Sequence, residues 1–394
     1  MNSTKKYWKG LAQLDNDPAI DKLAHNEFKE HLPIDEFLGD DKTLSSSTTS
    51  RRDFLKFMGF STAAATLASC ETPIVKSIPY LVKPEEIIPG VANYYATTIY
   101  DGRDYASVLV KTREGRPIKI ETNRGCSNAR IQASVLSLYD YERLKGPLRL
   151  GKETSWENID KEIQQKFSGI KDKKIVLLTS TIISPTTNKL ISELINNFDK
   201  AEHIVVDSVS YDGILDANDI AFGIRALPKY NFDKADTIVS FGADFLGNWG
   251  SNQYSSDYIK GRNPKSGKMS KHYQVETVLS LTGANADKRI QIKPSEQGYL
   301  LSNLLEGLDG KKVDQRLEQI LIHLKRSEKK SIIVCDSNDK DVQLIVNAIN
   351  QKLNNYNNTI DITSPDYLKQ GNYNDVTTLI EEMNTGMIGG LITY

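Results

Sequence analysis

Short, continuously apolar runs recur along the sequence from residue 175 onward, and they limit the fold more than any other feature. A strand buried on one face alternates apolar with polar residues, so an unbroken run indicates burial on both faces. Such runs occupy residues 175–179, 203–207, 237–241 and 331–334. They predict an α/β fold in which a doubly wound parallel sheet lies between helix layers.

Helical patterns separate these runs, and further strands follow them. We expect helices at residues 188–198, 215–224, 339–353 and 374–383, and a long helix from residue 295. Additional strands are predicted at residues 275–281 and 289–293, and a buried strand at 387–394. The charged residues 260–271 between them are expected to form a solvated loop or a docking strap.

A small antiparallel β-module is predicted ahead of the parallel sheet. Alternating strands are expected at 94–99, 106–112 and 117–121, with a turn at 113–116 and a helix over 129–145. Residues 71–90 are rich in proline, which favours an extended linker or strap. We therefore divide the exported body into a strap and β-module at 71–150 and an α/β domain at 151–394.

Residues 50–70 combine an export signal with an anchor. Arg51 and Arg52 offer two adjacent guanidinium forks, Phe54 and Lys56 follow, and a weakly apolar Ala/Ser/Thr segment leads to Cys70. This segment resembles a twin-arginine (Tat) signal that ends in a lipobox, which implies cleavage before Cys70 and acylation of its thiol. The alternative is a surface helix with a buried alanine-rich face. Residues 1–49 precede the signal and are interpreted as a processed leader extension.

Composition excludes several classes of protein. The 394 residues carry a formal net charge of −1 with acids and bases interspersed, which does not favour nucleic acid as a partner. No apolar run reaches the ~18–20 residues that a transmembrane helix requires. We expect membrane attachment to come from a lipid at Cys70 or from partner subunits.

Cysteine and histidine are scarce, which argues against a metal centre. With Cys70 acylated, only Cys126 and Cys335 remain, whereas an iron-sulfur cubane takes four cysteine thiolates. Cys335 ends an apolar run and is predicted to pack as a small hydrophobic residue; a disulfide between it and Cys126 stays open. The histidines show no metal-ligand spacing such as HExxH. For His272 an interface hydrogen bond is one interpretation, and a solvated or internally bonded ring is favoured over it.

The chain resembles the Tat-variant-translocated molybdopterin oxidoreductase family, in particular the large iron-sulfur/molybdopterin-like subunit of bacterial alternative complex III. The matching motifs span nearly the whole sequence and lie at residues 7–10, 26–28, 50–56, 78–80, 113–119, 138–140, 242–246 and 281–287. The resemblance implies a molybdopterin-oxidoreductase-like fold on the periplasmic side of the inner membrane. Implied partners are a membrane quinol-oxidising subunit and cytochrome c subunits.

The resemblance also points to residues that would meet a cofactor. Gly242, Asp244, Gly247 and Asn248 follow an apolar strand, where active relatives hold the nucleotide end of a molybdopterin cofactor. Glycines allow backbone N–H groups to approach phosphate, but Asp244 brings like charge, so a strand-exit turn is favoured. Cys126 matches the fourth cluster cysteine of relatives and is interpreted as a vestige or a packing residue.

Three functions follow from these observations. The first is a non-catalytic, lipid-anchored scaffold of a respiratory quinol-oxidising complex, without its own active site, metal or cofactor. Iron-sulfur clusters are then expected only in the C-terminal region of full-length relatives, and the chain is interpreted as the N-terminal part of a longer subunit or a split gene product. The second is a true molybdenum oxidoreductase. The third is a free periplasmic lipoprotein with a ligand site at the strand ends.

Trp249 is a candidate interface anchor.

Overall fold

The computed structural model of the chain describes residue 88 and residues 90–124, 127–170 and 172–394. The predicted leader, the export signal at 50–70 with Arg51, Arg52 and Cys70, and the vestigial candidate Cys126 all lie outside the described residues. The described residues fall within one compact unit, Lys83–Tyr394. The predicted division at residue 150 stays a prediction.

An antiparallel sheet of three strands begins the described part, as predicted. Its strands are β1 (Asn93–Tyr100), β2 (Tyr105–Arg113) and β3 (Arg116–Arg124), paired in that order. Glu114 and Gly115 form the β2–β3 turn with positive φ angles of 49° and 77°. A small apolar core of this module includes Val108 and Ile120, and Ile131 packs on it from the following helix.

The helix predicted over 129–145 is wrong beyond its first turn. Helix α1 covers Ala129–Ala133 and continues only as a 3-10 helix, Ser134–Leu138. Ser134 and Ser137 each donate their hydroxyl to a carbonyl three residues earlier, at 2.7 Å, which tightens the turns. Tyr141 and Leu144 beyond it are about four-fifths exposed, so a longer helix has no surface on which to bury an apolar face.

The rest of the described chain alternates strands with helices. In chain order the elements are β4 (Leu148–Arg149), β5 (Lys152–Glu153), α2 (Trp156–Ser168), β6 (Lys174–Thr179), α3 (Pro185–Asn196), β7 (Ala201–Val205), α4 (Asp212–Phe222), β8 (Leu227–Tyr230), β9 (Thr237–Phe241), α5 (Gln253–Gly261), β10 (Arg262–Asn263), β11 (Lys268–Met269), β12 (Lys271–Glu276), α6 (Leu281–Ala284), β13 (Lys288–Gln291), α7 (Gln297–Leu308), α8 (Glu318–Arg326), β14 (Ser331–Cys335), α9 (Lys340–Lys352), β15 (Ile360–Asp366), α10 (Tyr373–Asn384) and β16 (Ile388–Thr393). The α/β class, with an antiparallel module ahead of parallel sheets, is confirmed.

A four-stranded parallel sheet forms the centre, in the order β13-β12-β9-β14. Phe241 at the end of β9 pairs with Val275 on one side and with Cys335 on the other. From β9 the chain runs outward through β12 to β13 and then returns to β14 on the other side of β9. The order reverses at β9, and this arrangement leaves a crevice at the carboxyl ends of the strands.

Helices α7, α8 and α9 cover one face of this sheet. Val239, Tyr273 and Ile333 point into that core and meet Leu300 and Ile349. The opposite face packs against an aromatic cluster around Phe232, Phe245 and Tyr258. Both faces of β9 are therefore buried, which explains its unbroken apolar run.

The second parallel sheet has the order β16-β6-β7. Strand β16 was predicted to be buried, and this is wrong, because it lies at an edge of the sheet. Leu391 is 41% exposed, and burial alternates along the strand. Side-chain bonds join this part of the unit to the β-module: the Tyr100 hydroxyl donates to the Thr181 carbonyl at 2.7 Å, and the Lys369 ammonium donates to the Gly102 carbonyl at 3.1 Å.

The strand predicted at 275–281 begins and ends too late. Strand β12 covers Lys271–Glu276, and its side chains are buried although the sequence is polar. Residues 260–271, expected to be a solvated loop or strap, include the end of α5 and the β10–β11 hairpin. Arg262 within them makes a bidentate ion pair with Asp287, at 2.9 and 3.0 Å, so this segment is tied to the sheet.

Candidate functional site: the crevice at the strand ends

The crevice at the carboxyl ends of β9, β12 and β14 contains a cavity of about 380 Å³. Each of these strands delivers a carboxylate to its wall. Glu276 is the last residue of β12, Asp336 follows β14, and Asp244 lies in the loop after β9. The cavity is therefore acidic, which disfavours a phosphate group.

The backbone N–H groups of the loop after β9 donate to acceptors within the protein. The N–H groups of Gly247, Asn248 and Trp249 all donate to the Asp244 carbonyl, at 2.9–3.0 Å. The Phe245 N–H donates to the Ala243 carbonyl. The Leu246 N–H donates to the Thr282 hydroxyl, and the Gly250 N–H donates to the Tyr211 hydroxyl. Six consecutive N–H groups, from residue 245 to residue 250, are thus committed internally. A phosphate-binding loop needs such groups directed at its ligand.

The Asp244 carboxylate holds the loop to the start of helix α6. Its Oδ1 accepts two hydrogen bonds from Thr282, one from the backbone N–H at 2.9 Å and one from the hydroxyl at 2.7 Å. A Cβ at position 247 would overlap this carboxylate, so glycine is required there for a protein contact. Asp244 and Gly247 therefore serve the architecture of the turn.

Glu276 is buried and fully engaged. Arg289 donates to its Oε1 at 2.5 Å, while the Ser280 hydroxyl and the Gln274 amide donate to its Oε2 at 2.6 and 3.1 Å. Burial tends to raise its pKa, but the hydrogen bonds from Ser280 and Arg289 prevail, and the pKa lies below its ordinary value. A Cβ at Gly283 would overlap this carboxylate. Glu276 is thus an ionised structural anchor.

Asp336 is the third carboxylate of the cavity wall. Gln297 donates to its Oδ1 at 2.8 Å, and Gly242, with φ of +71°, leaves the space that the carboxylate occupies. Burial raises the pKa of its carboxyl, although the side chain reaches solvent in the cavity.

The sequence located part of this crevice. Of the predicted residues, Gly242, Asp244 and Asn248 line the cavity. Gly247 instead lines a neighbouring cavity of about 400 Å³ between the loop and the β-module. Glu276 and Asp336 were missed. The signal for Asp336 was present, since it directly follows the apolar run that ends at Cys335, whereas Glu276 falls inside the strand predicted at 275–281.

The predicted packing role of Cys335 is confirmed. Its side chain is 1% exposed, and burial raises the pKa of the thiol to about 12, so it is not reactive at neutral pH. The Ser337 N–H donates to its sulfur at 3.4 Å. Its pairing with Cys126 stays open, because Cys126 lies outside the described residues.

The histidines of the described chain lie apart, each with a local partner. His203 contacts the Thr179 hydroxyl at 2.9 Å, His323 contacts Tyr273 at 3.2 Å, and His272 is fully buried against Tyr258. His272 is thus a core residue. Within the described ranges, no three His, Cys, Asp or Glu side chains lie close enough together to hold a metal ion.

Trp249 packs within the fold. Its ring centroid lies 5.7 Å from that of Tyr230 and 6.2 Å from that of Tyr254, and part of the indole remains accessible. Its proposed role as an interface anchor stays a prediction.

Among the described residues, no helix has the length and apolarity needed to span a bilayer.

No protein-family model matches the chain, and no curated protein matches it. Among solved structures it is similar to a chain of the formyltransferase/hydrolase complex (FhcABCD) from Methylorubrum extorquens in complex with methylofuran. The identity is 12%, the match covers 51% of this chain and 56% of that one, and the TM-score is 0.39. It is also similar to acetylene hydratase from Pelobacter acetylenicus. There the identity is 11%, the match covers 68% of this chain and 42% of that one, and the TM-score is 0.41.

The chain spans about half the length of these solved structures, 56% of one and 42% of the other. At these identities and TM-scores the likeness carries no argument about the family of this chain. At this level of identity it carries no argument about chemistry.

Proposed function

We propose that the chain is a non-catalytic, molybdopterin-oxidoreductase-like scaffold subunit of a respiratory quinol-oxidising complex. The observation that carries the proposal is the closed loop after β9, in which the N–H groups of residues 245–250 all donate within the protein. A nucleotide cofactor would need some of these donors. Its binding would require breaking bonds that hold the turn to Thr282 and Tyr211.

The charge of the crevice supports the same proposal. A molybdopterin cofactor carries phosphate, and the crevice offers Asp244, Glu276 and Asp336. In the described part of the chain, the guanidinium that bonds to these carboxylates is that of Arg289, and it is committed to Glu276. The residues present therefore do not fit a phosphate-bearing cofactor.

Export and anchoring rest on the sequence motif. We propose that Arg51 and Arg52 direct Tat export to the periplasmic side of the inner membrane and that Cys70 carries the lipid. Replacing both arginines by lysine keeps the charge but removes the bidentate fork, so the periplasmic yield should fall sharply. An intact mass of the mature chain that begins elsewhere than Cys70, or that lacks acylation, contradicts the anchor.

Partnership is tested by purification from native membranes. With an affinity tag on this chain and mild detergent, we expect recovery of a membrane quinol-oxidising subunit together with c-type cytochromes. The double Arg51→Lys/Arg52→Lys variant is the matched control, because it keeps the folded body but should not reach its partners. Recovery of the chain alone from wild-type membranes would favour a free ligand-binding lipoprotein.

A genuine molybdenum oxidoreductase is the second candidate. Its supporting observation is the position of the crevice, at the carboxyl ends of parallel strands where such sheets bind ligands, with Asp336 accessible in its wall. One molybdenum atom per purified chain would favour this candidate over the scaffold.

A further inference from the structure

The amino ends of the central strands carry the opposite charge to the crevice at their carboxyl ends. Lys271 is the first residue of β12, Lys288 is the first of β13, and Lys330 directly precedes β14. These ends meet across the sheet, since the Lys271 N–H donates to the Asp236 carbonyl at 2.8 Å and the Asp236 N–H donates to the Lys330 carbonyl at 2.6 Å. The sheet therefore has carboxylates at one end and lysines at the other.

Helix α8 adds cations to this end of the sheet. Its last turn contains Lys325 and Arg326, and Lys329 follows the helix. Burial lowers the pKa of His323 on this helix, and Lys271 and Arg326 lower it further, so both cations lie near the same ring. We call this surface the basic face, and it is formed by Arg262, Lys271, Lys288, Lys325, Arg326, Lys329 and Lys330.

The basic face carries an excess of positive charge. Arg262 holds Asp287 in the bidentate pair, Asp236 Oδ2 lies 3.7 Å from Lys330 Nζ, and Glu328 accepts a hydrogen bond from the Asn354 amide. Seven cations against these three carboxylates leave four net positive charges, on a chain whose formal net charge is −1. Ion pairs at neighbouring helix ends are neutral in sum and leave this excess unchanged: Lys260–Asp257, Lys311–Glu306 and Lys352–Asp309.

The composition of the basic face favours a lipid surface over a protein partner. Protein interfaces are built around apolar and aromatic anchors and are depleted in lysine. Five of the seven cations here are lysines, and the exposed aromatic side chains of the described residues, such as Tyr141 and Trp156, lie elsewhere. Lysine carries a compact charge on a flexible stem, which suits a layer of anionic headgroups that has no fixed geometry.

We propose that the basic face binds anionic phospholipid headgroups and so orients the folded body on the membrane. A single acyl chain holds a protein only weakly, and a cluster of basic residues supplies a second signal. Ile88 lies 18 residues after Cys70, a length of chain that spans at most about 60 Å. A lipid at Cys70 thus limits the distance from the membrane, whereas the basic face selects the side that meets it. The inference rests on the proposed membrane location but not on the lipid itself.

The test is vesicle binding by the full chain with Cys70→Ser, so that no acyl group contributes. The probes are vesicles of phosphatidylcholine alone and of phosphatidylcholine mixed equally with phosphatidylglycerol. Each basic residue near an anionic surface strengthens binding about fivefold, so four net charges predict a preference for the anionic vesicles of about 10²–10³-fold at low salt. Most of this preference should disappear at about 1 M salt, where the attraction is screened.

Two double variants with the same change of charge locate the binding surface. Lys288→Gln/Lys325→Gln removes two exposed lysines of the basic face and should weaken binding to the anionic vesicles about 25-fold. Lys145→Gln/Lys152→Gln removes two exposed lysines outside it and should change the binding by about twofold at most, because charges beyond a Debye length are screened.

Three results overturn the proposal. One is equal binding of the Cys70→Ser chain to both kinds of vesicle, which requires no further variant to fold. Another is an equal loss in the two double variants, which would reflect net charge alone. The third is the loss of a co-purifying acidic protein from native membranes in Lys288→Gln/Lys325→Gln without any vesicle preference, which would assign the basic face to a protein partner. The scaffold proposal is tested separately, by co-purification of the partner subunits.

Discussion

Asp244→Ala should destabilise the protein, because its carboxylate is used to build the turn after β9. The substitution removes both hydrogen bonds from Thr282, the N–H at 2.9 Å and the hydroxyl at 2.7 Å. Hydrogen bonds to a charged group contribute about 1.5–3 kcal/mol each, and the lower figure applies to a half-buried side chain. We expect a loss of about 3 kcal/mol, out of a total free energy of unfolding of about 5–15 kcal/mol.

Asp244→Asn is the matched control for that prediction. Both Thr282 bonds reach the same oxygen, Oδ1, and an asparagine oxygen can keep both in neutral form at about half the strength. The expected loss is therefore about 1.5 kcal/mol. Urea unfolding of the full chain measures both values, with an unchanged m-value as the check that the unfolded states are alike. An alanine variant as stable as the wild type, or an asparagine variant as damaged as the alanine one, would refute the structural role.

Three further predictions concern other parts of the chain. Burial tends to raise the pKa of Asp287, but hydrogen bonds from Arg262 and from the His272 N–H prevail and lower the pKa to about 2. Asp287→Asn should therefore cost about 1–2 kcal/mol at pH 7 after allowance for solvent exposure. In urea unfolding this deficit should hold above pH 4 and shrink toward pH 2; an unchanged deficit at pH 2.5 contradicts it. Gly283→Ala should cost about 1–3 kcal/mol in the same assay, because the added Cβ meets the Glu276 carboxylate, and a neutral result argues against that contact. Cys126→Ser should leave complex assembly and quinol oxidation intact; loss of either would restore a role to this thiol.

The sequence predicted the strands best where burial on both faces made them apolar. Residues 237–241 were placed without error, because β9 is covered by helices on one face and by an aromatic cluster on the other. Strand β12 was misplaced for the opposite reason. It is just as buried, but Gln274 donates to Glu276 and His272 bonds Tyr258, and a hydrophobicity pattern does not record such hydrogen bonds.

The site was predictable only in outline. The position of Gly242 and Asp244 after an apolar strand indicated the correct edge of the sheet. Their roles were not readable, because they depend on contacts with Asp336 and Thr282, which lie 94 and 38 residues further along the chain. Glycine that makes room for a phosphate and glycine that makes room for a carboxylate look alike in sequence.

The molybdenum and pterin content of the chain, purified with its partners from native membranes, tests the central claim most directly. The closed loop at residues 245–250 and the acidic crevice predict that neither is present in stoichiometric amount. Iron and the visible spectrum of the separated chain, measured on the same sample, should likewise show no cluster. One molybdenum and one or two pterins per chain would contradict the scaffold account and would mean that the loop opens to receive the cofactor.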